Sequence, residues 1–245
     1  MARALALTLA LVCWFCFSVL AVSADSSLYG LVTGAGPATN ATPSFLGATG
    51  LLITPTAMIA PPLKASGYWH QIRSDVSQSL YGATVGLPAG FELSGLRLTN
   101  VEPSLGGGSA PRDETVVSAK YQVPLGNMLT DPLLPKLAVG VFDATNEVNR
   151  IFYVTVSRSF SILQSNKAAI NLHAGWGRAN KDDTRLDGFF GGVDFAPFKA
   201  ALLQIEYDAR NLNADVRYSP STWLSLDAGV VANDFAYGAT LRTDW

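Results

Sequence analysis

Alternation with a period of two is the feature that most narrows what this chain can become. Leu203, Ile205 and Tyr207 are apolar, and Gln204, Glu206 and Asp208 between them are polar. Leu212, Ala214, Val216 and Tyr218 alternate with Asn213, Asp215 and Arg217. Leu224, Leu226, Ala228 and Val230 oppose Ser225 and Asp227, and Phe235, Tyr237, Ala239, Leu241 and Trp245 oppose Gly238, Thr240, Arg242 and Asp244. Earlier, Val117, Ala119, Tyr121 and Val123 face away from Ser118, Lys120 and Gln122. Ile170, Leu172, Ala174 and Trp176 do the same against Asn171, His173 and Gly175. Successive strand side chains point to opposite faces, so each segment predicts a strand with one oily and one wet side. Helix competes poorly, because glycine and β-branched residues recur inside these segments.

Turn chemistry at Leu87-Pro88-Ala89-Gly90, Ala196-Pro197-Phe198, Asn211, Ser219-Pro220-Ser221 and Asn233-Asp234 separates the segments. About twelve strands result, with a range of roughly 10–14. They fall near 67–73, 78–87, 90–99, 114–124, 136–143, 150–160, 168–177, 186–195, 201–209, 212–218, 222–231 and 235–244. Leu96, Leu98, Val154 and Val156 blur the pattern in the early strands and in 150–160.

Charged residues make up 15% of the 245, well below the roughly 25% of an ordinary soluble domain. Beyond the first 24 residues no apolar run reaches the roughly 18 that a membrane helix needs. A chain this apolar is either a soluble sandwich or lipocalin-like binder with a large core, or a barrel whose outer face meets lipid. Three features favour the barrel. The polar faces carry Gly, Ser, Asn, Gln and sparse charges of both signs, which suits a narrow lumen. Aromatics gather near strand ends, at Tyr68, Trp69, Tyr81, Phe91, Phe160, Trp176, Phe195, Tyr218, Trp223, Phe235 and Trp245. The last strand ends on Trp245, which reads as a signal to the barrel-assembly machinery.

The expectation is therefore an all-β, closed, antiparallel up-and-down transmembrane barrel. Its lumen-facing candidates are Lys120, Gln122, Asn171, His173, Gln204, Glu206, Asp208, Asn213, Asp215, Arg217, Asp227 and Arg242. An even strand count puts both termini on the periplasmic side, with 100–113, 146–149, 178–185 and 233–234 outside. The stretch 125–135 is longer and more apolar than a periplasmic turn should be.

The division is 1–24 signal peptide, 25–47 flexible lead-in and 48–245 barrel. Arg3, the apolar run Ala4 to Val22 and the small residues Val22-Ser23-Ala24 make the signal. Both cysteines, Cys13 and Cys16, lie within it, so the exported chain has no thiol chemistry and no disulfide. The lead-in is rich in Ser, Gly, Ala, Thr and Pro. A net charge of −2 gives no basic footprint for nucleic acid.

Chemistry has few candidates. His70 and His173 are the only histidines, and Ser157 and Ser159 lie on another candidate strand. A rim hydrolase, a lipase or protease, would need such a His beside Ser or Asp. Polar lumen residues are the plainer reading. Asp182, Asp183 and Asp187 read as a solvated loop rather than a cation site, and Gly106-Gly107-Gly108 as a flexible loop. No cofactor, metal or catalytic residue is expected.

One stretch does not follow strand logic: Gly47-Ala48-Thr49-Gly50-Leu51-Leu52-Ile53-Thr54-Pro55-Thr56-Ala57, then Pro61 and Gly67-Tyr68. It resembles the opening motif of the YjbH-like family of bacterial outer-membrane proteins. Phe189 to Val193, Ile205 to Asp208 and Asn213 to Tyr218 are similar to that family's strand phrases. The resemblance implies a short, single-barrel, non-enzymatic envelope component or narrow conduit in the bacterial outer membrane. It implies a link to exopolysaccharide production or export, with lipids, the assembly machinery and polysaccharide as partners.

Overall fold

The computed structural model describes residues 42–74, 77–101, 112–124, 134–161, 169–181, 184–198 and 200–243. The signal peptide, most of the lead-in, most of 125–135, Asp182, Asp183, the triple glycine and Trp245 lie outside the described residues.

Twelve strands follow in chain order. They are β1 (Ala65–Arg73), β2 (Gln78–Leu87), β3 (Phe91–Val101), β4 (Arg112–Val123), β5 (Lys136–Phe142) and β6 (Ile151–Ser161). Then come β7 (Ala169–Ala179), β8 (Gly188–Phe198), β9 (Ala201–Tyr207), β10 (Leu212–Tyr218), β11 (Leu224–Val231) and β12 (Asp234–Arg242). Each pairs antiparallel with its sequence neighbours, and β1 closes the sheet on β12 from Ser66↔Arg242 to Arg73↔Phe235. The sheet is thus one closed barrel, and the soluble sandwich is excluded.

Alternation decides the two faces. In β10 the burial runs exposed, buried, exposed throughout Leu212–Tyr218, with Asn213, Asp215 and Arg217 inside. Ile205, Phe152, Leu212, Trp223, Phe235 and Leu241 are each more than half exposed on the outer wall. Among the aromatics read as an outer girdle, Tyr81, Phe91, Trp176, Tyr218, Trp223 and Phe235 do face outward. Tyr68 does not. It is buried and stacks with His70 at 5.4 Å between ring centroids.

The inner wall changes character along the barrel axis. We call the end carrying Ala65 and Arg242 the near mouth and the opposite end the far mouth. Towards the far mouth the inward residues of β1 to β8 are mostly apolar, among them Ile72, Leu80, Leu98, Phe142, Ile151 and Phe190. Towards the near mouth they are polar, among them Ser66, Glu92, Lys120, Ser157 and His173. Inward aromatics lie over glycines on the neighbouring strand: Tyr68 over Gly82, His70 over Gly238, Tyr153 over Gly140 and Phe190 over Gly175. A side chain at any of these glycines would overlap the ring.

Twelve strands enclose more space than wall side chains alone fill, since about eight strands is the filled size. Residues 42–64 occupy that space. Phe45, Leu51, Leu52, Ile53, Ala57 and Met58 are buried inside the barrel, and the chain returns to β1 through Pro62, which bridges to Gly86 at the near mouth. Residues 42–47, part of the expected flexible lead-in, are buried as part of this plug, apart from the half-buried Leu46.

Candidate functional site: the plugged lumen

The plug is a turn-rich loop bonded to itself. Ser44 N–H donates to Ala48 O at 2.9 Å, Phe45 N–H to Leu52 O at 2.8 Å and Thr56 N–H to Thr49 O at 3.2 Å. Gly47 adopts φ +92°, and a Cβ there would strike the Tyr68 hydroxyl, so the turn requires glycine. Such a loop cannot satisfy all its backbone groups internally, and the wall supplies the remainder.

Two inward carboxylates take four of the plug's backbone N–H groups. Glu92 on β3 accepts from Thr49 N–H at 2.9 Å, Thr49 Oγ1 at 2.8 Å and Ala60 N–H at 2.7 Å. Glu206 on β9 accepts from Ile53 N–H at 2.8 Å, Thr54 N–H at 2.9 Å and Thr54 Oγ1 at 2.9 Å. Such charge-assisted bonds are stronger than neutral ones. Lys120 on β4 balances Glu92 at 3.3 Å and donates to Thr49 O at 2.7 Å, to Thr56 O at 3.3 Å and to the Thr49 hydroxyl. Gln122 donates to Ala57 O at 2.6 Å, and Thr84 to Gly47 O at 2.6 Å. Arg242 reaches Thr42 at 3.2 Å, and Phe45 stacks on His70 at 4.0 Å.

The TGL…PTA stretch thus has a physical use. Its threonines and backbone amides are what the lumen wall binds.

A second arrangement lies beside Ala57. His173 Nε2 meets Asp194 Oδ2 at 2.8 Å, and His173 Nδ1 meets Ser157 Oγ at 2.7 Å. Ala57 N–H donates to Ser157 Oγ at 2.8 Å. Asp194 can only accept, so in a neutral ring the hydrogen sits on Nε2 and Ser157 donates to Nδ1. Ser157 then has a lone pair for the plug. Asn171 completes the set by donating to Asp194 Oδ1. This has the composition of a nucleophilic triad. The plug backbone, however, covers the serine, and Ser157, His173 and Asp194 are all buried.

All twelve residues read as lumen-facing are buried on the inner side. The structure gathers Lys120 and Gln122 at the plug, Asn171 and His173 around Asp194, and Glu206, Asp208 and Asn213 into one cluster. In that cluster Asn213 donates to Glu206 at 3.0 Å and to Asp208 at 3.1 Å. Arg217 pairs with Asp227 at 2.6 Å, and His70 lies 3.8 Å from the other Asp227 oxygen. Asp187, the described member of the loop trio, accepts from Ala179 N–H at 3.1 Å. No group of three potential metal ligands occurs among the described residues.

Sequence reasoning missed Glu92, Asp194 and Thr155, whose hydroxyl donates to Pro55 O of the plug at 3.2 Å. Glu92 had a signal: it alternates in phase with Ser94 between Phe91 and Leu93. Asp194 sits in a run of Phe and Gly where neither face reads as polar.

No family model matches this chain, and no curated protein matches it. Among solved structures it is similar to the KdgM porin, with a TM-score of 0.46 and 13% identity, over 74% of this chain and 99% of that one. It is also similar to the KdgM porin in complex with disordered oligogalacturonate, with a TM-score of 0.45 and 12% identity, over 74% and 99%. The N-terminal β-barrel domain of Pseudomonas aeruginosa OprF matches with a TM-score of 0.26 and 8% identity, over 74% and 98%. The likeness is one of architecture alone.

Proposed function

We propose that this chain is a non-enzymatic bacterial outer-membrane barrel serving as a narrow conduit closed by its own N-terminal plug. The observation that carries this reading is the pair of wall carboxylates, Glu92 and Glu206, each accepting three hydrogen bonds from the plug. The belt of exposed Phe152, Ile205, Leu226, Phe235 and Leu241 supports lipid contact, since a soluble monomer rarely exposes so much contiguous apolar surface. In that setting the near mouth, with its short turns at Pro88–Gly90 and 219–223, is periplasmic.

The YjbH-like resemblance rests on the plug and on strand phrases, and it extends the reading to exported polysaccharide. A sugar chain would cross only with 42–64 withdrawn. Export through a cleaved signal peptide, insertion by the assembly machinery and lipid contact belong to the same reading.

The test is planar-bilayer conductance of the refolded barrel against the double variant Glu92→Gln, Glu206→Gln. Larger unitary steps in the variant are expected, with both proteins recovered from outer membranes as heat-modifiable bands. Equal conductance would detach the plug from gating, and a soluble periplasmic protein without a band shift would end the membrane reading.

A second reading follows from the Ser157–His173–Asp194 contacts: a hydrolase that acts once the plug leaves. Ester hydrolysis that disappears in Ser157→Ala would favour it over the conduit.

A further inference from the structure

Ions do not cross an apolar wall, and towards the far mouth β1 to β8 present a mostly apolar one. β10 differs. Its inward residues Asn213, Asp215 and Arg217 are polar, and Ser219 follows them at the near mouth. Glu206 and Gln204 flank it on β9, and Asp227 on β11. A polar line therefore runs from the Asp208–Asn213 contact at the far mouth to Ser219 and Ser225, 2.7 Å apart, at the near mouth.

Midway along it, Asp215 and Gln204 stand opposite each other in the β9–β10 register. Both are buried, 5% and 1% exposed. Neither oxygen of Asp215, and neither amide atom of Gln204, has a hydrogen-bond partner among the described residues. The plug's polar contacts fall on β2, β3, β4, β6, β9 and β12. A buried carboxylate facing a buried amide is costly unless water or a cation lies between them. Arg217, the guanidinium on this line, meets Asp227 at 2.6 Å. Arg185 stands 3.6 Å from Asp208 and Arg242 donates to Ser225 at 2.8 Å, so the four carboxylates of Glu206, Asp208, Asp215 and Asp227 exceed the three guanidiniums along the track by one.

We propose that β9 to β11 carry a hydrated track for small monovalent cations, running beside the seated plug with Asp215 and Gln204 at its centre. This rests on the barrel being a conduit and names the class of solute it passes while closed. Rings and lines of carboxylates select cations by concentrating them and repelling anions.

The experiment measures the reversal potential of the full-length protein in planar bilayers under a potassium chloride gradient. Cation preference is expected, falling severalfold in Asp215→Asn and inverting in Asp215→Lys. Ser94→Ala, on the opposite wall, should leave the ratio unchanged. Each variant must keep its heat-modifiable band, so that a loss reports selectivity and not folding. Anion preference in the unaltered protein, or a ratio indifferent to Asp215→Lys, overturns the track. If the unaltered protein is silent while Glu92→Gln, Glu206→Gln conducts, the track falls and the plugged conduit stands. Silence in both removes both.

Discussion

The two halves of the lumen hold the same plug by different physics. Towards the far mouth, Leu46, Ile53, Ile72, Leu80, Leu98 and Phe142 line one side of a recess of about 150 Å³ that Asn149, Thr184 and Arg185 also border, and there plug and wall meet through dispersion and exclusion of water. Towards the near mouth, Glu92, Lys120, Gln122 and Ser157 meet the plug through directed hydrogen bonds. Apolar packing tolerates small shifts in register, whereas hydrogen bonds fix it. Along β1 to β8 the far half thus supplies bulk adhesion and the near half fixes the register, while Glu206 near the far end of β9 holds Ile53 and Thr54 through three further hydrogen bonds. Withdrawal costs most where charged groups would be left unpaired.

The largest effect should come from Glu92→Ala. It strips three plug donors of their acceptor and leaves Lys120, 1% exposed, without its carboxylate. Breaking one side of a buried pair costs roughly 3–5 kcal/mol. A large drop in the denaturant midpoint is expected, together with protease cleavage within 42–64. Adding Lys120→Met should recover part of the loss, because the orphaned charge disappears. No recovery would mean the pair is not the anchor.

Leu80→Ala sharpens the contrast from the other half. Leu80 is 1% exposed and borders the recess, so removing its side chain should cost roughly 2–5 kcal/mol through lost burial and a cavity. The plug's hydrogen bonds are untouched, so protease resistance of 42–64 should persist under native conditions. Cleavage as fast as in Glu92→Ala would erase the distinction between the halves.

That same contrast explains what could be read from the sequence. The faces of β4, β7 and β9 to β12 were legible because these strands carry a polar inner and an apolar outer face, as in Leu203–Gln204–Ile205–Glu206. The lumen candidates followed from that phase alone. The far half of β1 to β8 was not legible as inner wall. There Leu96, Leu98 and Phe190 face inward yet are as apolar as the lipid side, so alternation vanishes. The blurred pattern in the early strands was the apolar lumen itself. The plug was illegible for another reason: its conformation is set by acceptors at least 32 residues away in sequence, Glu92 and Glu206, and no local period records them. Tyr68 was read as a girdle residue because nothing local shows that Gly82 opens room for its ring.

The smallest effect should come from Ser157→Ala, and it separates a latch from a catalyst. In the latch reading Ser157 passes one hydrogen bond from Ala57 N–H and another to His173 Nδ1. Alanine leaves the buried amide and the ring nitrogen unsatisfied, a cost of roughly 1–3 kcal/mol. Ser157→Thr keeps the hydroxyl, so it should restore most of that loss if its added methyl finds room beside Ala57. The near half would then loosen locally, with amide exchange at Ala57 rising while Thr54, held by Glu206, stays protected. Uniform exchange across the plug would show that its two halves release together, and that the contrast between them is structural but not energetic.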